Sequence, residues 1–475
     1  MNLLQKMSLI LGLWAATACS PPAAAPAGDA EADLATSVDV CAGSACGIDV
    51  AEVNINDGGA EVGADVAPDV PPKPDIVPDV PAELPMPATV PGDLPPGVTA
   101  QGLTAAKFSD QGKSPNLLVK MPVGTVSFLG VVIGVHPNFY GLGKIVTPSG
   151  DLWAKDKCVD ALCITCVNRL GFSPGVGAAL IPSTSGLKVT GGQWNLGSCA
   201  FVWQLLGSTF APVLAKGVVE ETVVFIKTTI DGKLPSTGEL HLRFWLTGAG
   251  KLDQNTALAD PRIVGMLKEI AMLYATMGIV VKVVDLRQTA PGHTVITLPD
   301  DTTTTGASDM DLLFAEAKSA GGSAVVDVFF VSQIIGGGME GKGIVGGIAG
   351  GIPGPAFYHG IARSGVVVAL GAMGDNGQLL GRVLAHEIGH FMGLWHPSEA
   401  TGNPHDPIDD TPQCGAAQDI NGDNVLSVDE CQDHGADNIM FWFAGNKVSQ
   451  FTPGQGLIVR GNPLVLPSAA SATNP

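Results

Sequence analysis

Tyrosine and charged side chains are scarce in this sequence, and basic residues are the rarer of the two charge signs. Among 475 residues there are only 3 Tyr, and 25 Lys and Arg stand against 45 Asp and Glu, which gives a formal net charge of -20. This balance argues against a nucleic-acid partner, because phosphate binding requires a cationic surface. No apolar run after the first twenty residues is long enough to span a bilayer, which excludes a polytopic membrane protein.

Residues 1–18 have the pattern of a signal peptide. A single Lys precedes the apolar run from Met7 to Ala18, which is too short to cross a membrane. Small residues lead directly to Cys19, and this arrangement resembles the lipobox of bacterial lipoproteins, in which the cysteine is acylated after cleavage. An ordinary secretory signal is the alternative. We therefore predict an exported protein that is secreted, or anchored at a bacterial outer membrane or cell surface through lipid on Cys19.

Composition divides the rest of the chain into four parts. Residues 19–100 are acidic and rich in proline but contain no aromatic residue, which predicts a disordered tether. Residues 101–239 carry short β-rich runs between Gly, Pro and Ser clusters, a pattern typical of a sandwich-like β-rich domain. Residues 240–465 alternate strands with helices, which predicts an α/β domain. The last part, 466–475, is predicted to be a disordered tail.

The strongest chemical signal is the run HEIGHFMGLWH. On a helix, His386 and His390 project from one face and can share a metal, while Gly393 lets the backbone turn back and bring in His396. Three nitrogen ligands leave one zinc position open for water, whose pKa the metal lowers. Glu387 lies beside the same face, where its carboxylate can reach this water without binding the metal. The pattern predicts a zinc site with a general base.

Three downstream segments and the run GVVV before the zinc helix extend this motif. Together they resemble the pappalysin family of metzincin zinc endopeptidases, and the resemblance covers roughly residues 240–462. It implies that the α/β domain is metzincin-like, with a mixed sheet and the zinc helix. The downstream segments are DPIDDTP at 406–412, NIMFW at 438–442 and FTPGQ at 451–455.

The resemblance implies a zinc-dependent endopeptidase that hydrolyses peptide bonds in proteins or peptides outside the cytoplasm. The three histidines would bind Zn²⁺, Glu387 would deprotonate the zinc-bound water that attacks the peptide carbonyl, and Met440 would form the floor under the metal. The Gly-rich stretch up to Tyr358 would contain the substrate-binding edge strand, to which an extended peptide adds. The membrane would be a partner only through the lipid anchor.

One residue departs from the family pattern. Trp442 stands two residues after Met440, where the family has Tyr. Two roles are open for it: the indole N–H donates to the oxyanion that develops on the peptide carbonyl, or the ring packs beside Met440. The missing Tyr also favours an alternative function. In this alternative the protein is a catalytically silent surface lipoprotein that uses a metzincin scaffold for binding or adhesion. The intact Glu387 favours the enzyme.

The segment NIMFW at 438–442 corresponds to the Met-turn of the family. An acidic segment before this Met-turn matches the ligand spacing of an EF-hand loop, which predicts Ca²⁺ binding. Asn424 replaces the usual glycine, but Asn also tolerates left-handed backbone. Cys414 and Cys431 flank the segment, and in an exported chain this predicts a disulfide that clamps it. A solvated acidic turn is the alternative. The possible calcium ligands are Asp419, Asn421, Asp423, Val425 through its carbonyl, Ser427 and Glu430.

Calcium should raise the melting temperature of the protein if this loop binds it, because a ligand that binds only the folded state stabilises that state by mass action. We expect the rise to be smaller in Glu430→Gln, which removes a negatively charged ligand. The measurement is thermal unfolding across a calcium titration, with calorimetry at one temperature. A titration without a melting shift or a binding heat would contradict the calcium prediction.

Overall fold

The computed structural model describes most of the chain from residue 93 onward and one short strand before it. The predicted signal peptide, Cys19 and most of the predicted tether lie outside the described residues. Within those residues, no helix combines the length and the apolar character that a membrane crossing requires. The described ranges are 49–53, 93–109, 112–134, 138–154, 170–206, 209–215, 219–298, 308–321, 324–336, 345–444 and 448–468.

Among the described residues up to 228, every strand except β1 belongs to one of two antiparallel sheets, and β1 joins a third sheet. One sheet has the order β2-β11-β4-β8, and the other has the order β10-β9-β5-β6, with β3 beside β9 and β7 beside β5. The strands are β1 (Asp49–Val53), β2 (Val98–Lys107), β3 (Leu117–Met121), β4 (Thr125–Ile133), β5 (Phe139–Val146), β6 (Leu152–Ala154), β7 (Ser173–Pro174), β8 (Val176–Ile181), β9 (Gly192–Leu206), β10 (Thr209–Leu214) and β11 (Val219–Thr228).

The four-stranded sheet is buried on both faces. Successive side chains of a strand point to opposite faces. Phe128 and Val224 therefore join the hydrophobic cluster shared with the six-stranded sheet, and Phe128 lies edge-on to Trp194. Their neighbours Leu129 and Phe225 join the larger hydrophobic cluster, which also contains the core of the α/β part. This double burial explains why β4 is continuously apolar from Phe128 to Ile133 instead of alternating.

The remainder of the described chain mixes strands and helices, which confirms the α/β prediction at the level of fold class. Short 3-10 helices lie at Ala249–Lys251, Ala257–Ala259, Glu316–Ala320 and Ala416–Gln418. The strands are β12 (Gly238–Leu246), β13 (Ile279–Gln288), β14 (Val295–Leu298), β15 (Val325–Val331), β16 (Gln333–Gly336), β17 (Val345–Ala349), β18 (Val366–Ala369) and β19 (Phe443–Ala444). The helices are α1 (Pro261–Ala275), α2 (Asp309–Ala315), α3 (Leu370–Met373), α4 (Gly377–Phe391) and α5 (Pro453–Gly461).

A mixed seven-stranded sheet organises this part, in the order β13-β12-β15-β18-β17-β1-β19. The first four strands run parallel, and β17 is antiparallel to β18. A separate parallel pair is formed by β14 and β16. Strand β17 lies in the Gly-rich stretch up to Tyr358, where the sequence leads us to expect the peptide-binding strand. In the structure it pairs with β18 on one side and with β1 on the other.

The structure departs from the predicted tether in two places. Asp49–Val53 forms β1, which pairs antiparallel with β17 and parallel with β19, and β2 already begins at Val98. The physical reason is that an exposed sheet edge offers unpaired backbone donors and acceptors, so a short segment can add to it without aromatic side chains or a core of its own. Low aromatic content therefore did not exclude strand formation here.

Helix α4 is held on the sheet by close packing against α1. Asp260 caps α1 by accepting from the backbone N–H of Arg262, and Pro261 occupies the first helical position. The backbones approach closely where a Cβ at Gly265 would lie 3.1 Å from the Cα of Gly377. Arg382 of α4 donates to Glu269 of α1 at 2.8 Å. The helix is thereby fixed in position and rotation.

A buried lysine joins the four-stranded sheet of the β-rich region to the C-terminal helix. Lys227 of β11 donates from Nζ to the carbonyl oxygens of Arg460, Asn462 and Val465, at 2.7, 3.0 and 2.8 Å. An ammonium group has three donors, and all three are used. The acceptors lie at and just after the end of α5, where carbonyls lack helical partners and a cation is favourable. The β-rich region is thus bound to the α/β part through a buried charge.

Stability should depend on pH through this lysine. Burial, with a smaller contribution from Arg460, lowers the pKa of Lys227 from 10.5 to about 7. Between about pH 7 and pH 10.5, Lys227 carries a proton in the unfolded chain but not in the folded chain. The free-energy cost of burying the charged form is therefore largest below about pH 7 and decreases as pH rises. We expect the difference in melting temperature, wild type minus Lys227→Met, to increase from pH 6 to pH 9. A difference that stays constant across this range would contradict the assignment.

Candidate metal centre

Helix α4 and the turn after it bring three histidines together. The Nε2 atom of His386 lies 2.9 Å from that of His390 and 3.3 Å from that of His396. All three side chains are buried, and their candidate ligand atoms lie within 4.8 Å of one another. Gly393 turns the chain with a φ of 108°, a conformation that favours glycine. The structure therefore brings together the residues that the spacing singled out.

Two of the histidines direct their other ring nitrogen at a backbone carbonyl. Nδ1 of His386 lies 2.7 Å from the carbonyl oxygen of Ile439, and Nδ1 of His390 lies 2.7 Å from that of Leu394. Because a carbonyl oxygen can only accept, each Nδ1 carries the proton. Each neutral ring then presents the lone pair of Nε2 to the shared point.

The donor set fits a zinc ion. Burial, with a smaller contribution from His396, lowers the pKa of His386 to about 3, so His386 is neutral at physiological pH. Neutral nitrogen lone pairs that converge at these distances repel one another unless a cation lies between them. Three imidazole nitrogens are also the ligands of zinc sites that keep one position open. These residues would hold Zn²⁺.

Glu387 is buried beside the histidine cluster and faces strand β17. A Cβ built on Gly347 of β17 would lie 2.7 Å from Cγ of Glu387 and 3.1 Å from its Oε1. Only glycine therefore lets the strand backbone approach the carboxylate this closely. The sequence pattern identified Glu387 but not Gly347, because a glycine among many others in this stretch carries no signal of its own.

The Met-turn lies under α4 and orients one of its histidines. Met440 packs against Gly389, where any side chain would collide with the Met440 sulfur. The side chain of Asn438 accepts from the Met440 N–H at 2.8 Å and exchanges two hydrogen bonds of 3.0 Å with Gln455. This support fixes the turn whose Ile439 carbonyl binds His386. The contact gives a structural role to Gln455, for which the sequence offered only a motif match.

The segment DPIDDTP at 406–412 is hydrogen-bonded to the start of α5. Asp410 accepts from the hydroxyl of Thr452 and from the backbone N–H of Gly454, both at 2.8 Å. Asp406 accepts from the hydroxyl of Thr411 at 2.6 Å within the segment. The motifs that lie apart along the chain after the zinc helix are thus joined directly to one another.

Trp442 uses its indole N–H inside the protein. Nε1 donates to the carbonyl oxygen of Leu426 at 2.9 Å, and the ring is buried. The N–H of Leu426 in turn donates to the carbonyl of Ala400 at 2.7 Å. Of the two roles left open for Trp442, this contact favours packing and support over donation to an oxyanion, because its one donor is already engaged.

The acidic loop is closed by the predicted disulfide between Cys414 and Cys431. Asn424 has a φ of 66°, the left-handed conformation expected at this position. Calcium binding by the loop stays a prediction. Five of the six proposed ligands, all but Val425, use side-chain oxygens in hydrogen bonds within the loop: Asp419 with the N–H of Gly422 and Asn424, Asn421 with that of Asp423, Asp423 with that of Val425, and Ser427 with Glu430.

Comparisons with known proteins give weak similarities. No family model matches the chain. Among solved structures, the chain is similar to metalloproteinase-II from Bacteroides fragilis with a TM-score of 0.27 and 10% identity, over 50% of this chain and 61% of that chain. Among curated proteins, it is 29% identical over 164 residues to an extracellular metalloprotease of Arthroderma gypseum, which covers 33% of this chain and 53% of that protein. The chain thus spans about half the length of this curated relative.

Replacing Trp442 by Phe should lower the free energy of unfolding, because the buried carbonyl of Leu426 loses its indole donor. A buried group left without its partner costs about 1–3 kcal/mol. Urea unfolding measures the change. Trp153→Phe is a matched control, since that indole is only half-buried against Trp194 in a different cluster. Equal stability losses in the two variants would contradict a supporting role for the hydrogen bond.

Proposed function

We propose that this protein is a zinc-dependent metalloendopeptidase, metzincin and pappalysin-like, that cleaves proteins or peptides outside the cytoplasm. The observation that carries the proposal is the convergence of three buried imidazole Nε2 atoms with a carboxylate, Glu387, beside them. Similarity to an extracellular metalloprotease supports an exported metalloprotease as the general class. Attachment to a membrane through lipid on Cys19 is part of the proposal and rests on the sequence alone.

The chain's own residues supply binding, orientation and proton transfer. When bound at His386, His390 and His396, zinc supplies a Lewis acid that polarises the peptide carbonyl and lowers the pKa of a water. Glu387 takes the proton of the attacking water and delivers it to the leaving amine, the role of a general base and then acid. Burial of the histidines keeps bulk water from competing for the reacting groups.

Substrate would bind along β17 as an added strand, since its backbone lies against Glu387 at Gly347. In the structure, β1 pairs with this strand and sets Ala51 opposite Gly347. A peptide and the chain's own segment 49–53 would then compete for one edge. The proposal therefore includes displacement of β1 from β17 when substrate binds.

The rival proposal of a silent binding protein loses its main support. Trp442 favoured it only because a Tyr was missing beside Met440. The indole of Trp442 instead supports the Leu426 segment, a role that requires no loss of catalysis. Glu387 and all three candidate ligands are intact.

Glu387→Ala should retain zinc but lose hydrolysis, because the three histidines remain while the proton acceptor is removed. The expected loss of kcat with casein is at least about 10²-fold, the lower end for general acid–base catalysis. Zinc content is measured by elemental analysis of the same samples. Asp433→Asn, which changes an exposed carboxylate, is the matched control and should behave as wild type.

Two results would count against the proposal. Near-wild-type turnover by zinc-loaded Glu387→Ala would remove the assignment of the base. Zinc-loaded wild type that cleaves neither casein nor unfolded peptides would favour the silent binding protein instead.

A further inference from the structure

We propose that Glu399 is a positioning residue for the zinc site, and that the disulfide-closed acidic loop serves to hold it there. The inference rests on the proposed zinc function and concerns the third histidine. Oε2 of Glu399 lies 2.8 Å from Nδ1 of His396, and the Glu399 side chain is only 11% exposed. Neither residue spacing nor family motif singled out Glu399 in the sequence.

The third histidine differs from the other two in both its backbone and its partner. His386 and His390 are fixed by helix α4, and their Nδ1 atoms bind backbone carbonyls. His396 lies after the turn at Gly393, in irregular structure, where no helix restricts its position. A side chain without a helical frame needs another constraint to direct its lone pair, and the contact with Glu399 provides one.

A carboxylate does more at this place than a carbonyl would. It orients the ring, favours the tautomer with the proton on Nδ1, and increases the basicity of the ligating nitrogen. Hydrogen bonds to an ionised acceptor are also stronger than those between neutral groups. Glu399 therefore both aims His396 and brings a negative charge next to a site that binds a dication.

A tight local fold holds Glu399 in place. Its N–H donates to the carbonyl of Pro404 at 3.3 Å, and its carbonyl accepts from the N–H of Gly402 at 2.8 Å. The preceding Ser398 forms a bridge with His405. The backbone on both sides of the carboxylate is thereby closed into a compact turn.

The acidic loop holds this turn from outside. The N–H of Cys414 donates to the hydroxyl of Ser398 at 2.8 Å, and the N–H of Leu426 donates to the carbonyl of Ala400 at 2.7 Å. The residues immediately before and after Glu399 are thus both bound by the loop that the Cys414–Cys431 disulfide closes. Trp442 fixes the same loop to the Met-turn through Leu426. The loop therefore has a role in the metal site that does not depend on calcium.

The experiment measures zinc affinity directly, by competition with a chromogenic chelator, for full-length wild type, Glu399→Gln and Glu399→Ala. Replacing a hydrogen-bonded residue that orients a metal ligand typically lowers metal affinity 10–100-fold. We expect a loss in this range for Glu399→Gln, which keeps the shape but not the charge, and at least as large a loss for Glu399→Ala. Asp433→Asn, an exposed carboxylate in the same region, should keep wild-type affinity.

The melting temperature of the zinc-free protein separates positioning from a purely structural role. We expect zinc-free Glu399→Gln to melt close to wild type while its zinc affinity falls. A lowered melting temperature with unchanged zinc affinity would overturn the inference. If Glu399→Ala does not fold, the isosteric Gln variant decides the matter by itself.

Failure of this inference is distinguishable from failure of the proposed function. Wild-type zinc affinity and casein cleavage in both Glu399 variants would overturn the positioning role and leave the peptidase assignment standing. If zinc affinity falls in the Glu399 variants but wild type cleaves no peptide, the peptidase assignment is overturned and the positioning role of Glu399 is supported. A wild type that binds no zinc would overturn both.

Discussion

The convergence of neutral imidazole nitrogens on one point is the constraint on which the rest of this structure depends. Lone pairs at 2.9 and 3.3 Å can be held together only if each ring is fixed from behind. The acceptors behind the rings come from separate parts of the chain: the Met-turn, the turn that ends α4, and the loop with Glu399. The fold after α4 can be understood as the means of bringing these acceptors to the helix.

The β-rich region contributes to the same constraint from the opposite side. Lys227 binds the carbonyl of Asn462, whose side-chain amide donates at 3.2 Å to the carbonyl of Met392 at the end of α4. A Cβ at Gly393 would lie 3.0 Å from Leu180 of β8. The turn that delivers the third histidine is therefore packed on a β-sheet strand. The described part of the β-rich region thus supports the turn that delivers the third histidine.

The strand proposed to bind substrate also pairs with an N-terminal segment of the same chain. The glycine that brings β17 against Glu387 also lies opposite Ala51 of β1. The edge that would accept a peptide therefore accepts a segment of the same chain. Edge pairing depends on backbone groups, so it tolerates the acidic, aromatic-free composition of that segment.

The sequence by itself determined the local features of the site. The spacing of His386, Glu387 and His390 specifies one helix face, Gly393 permits the turn, and Asn424 tolerates left-handed backbone, because each is set by neighbouring residues along the chain. Tertiary structure alone decided which distant groups complete it. The partner of Trp442, the role of Gln455 and the contacts that hold the turn around Glu399 depend on loops that meet only after folding. Spacing encodes a local periodicity, whereas a hydrogen bond between separate segments depends on the whole path of the chain between them.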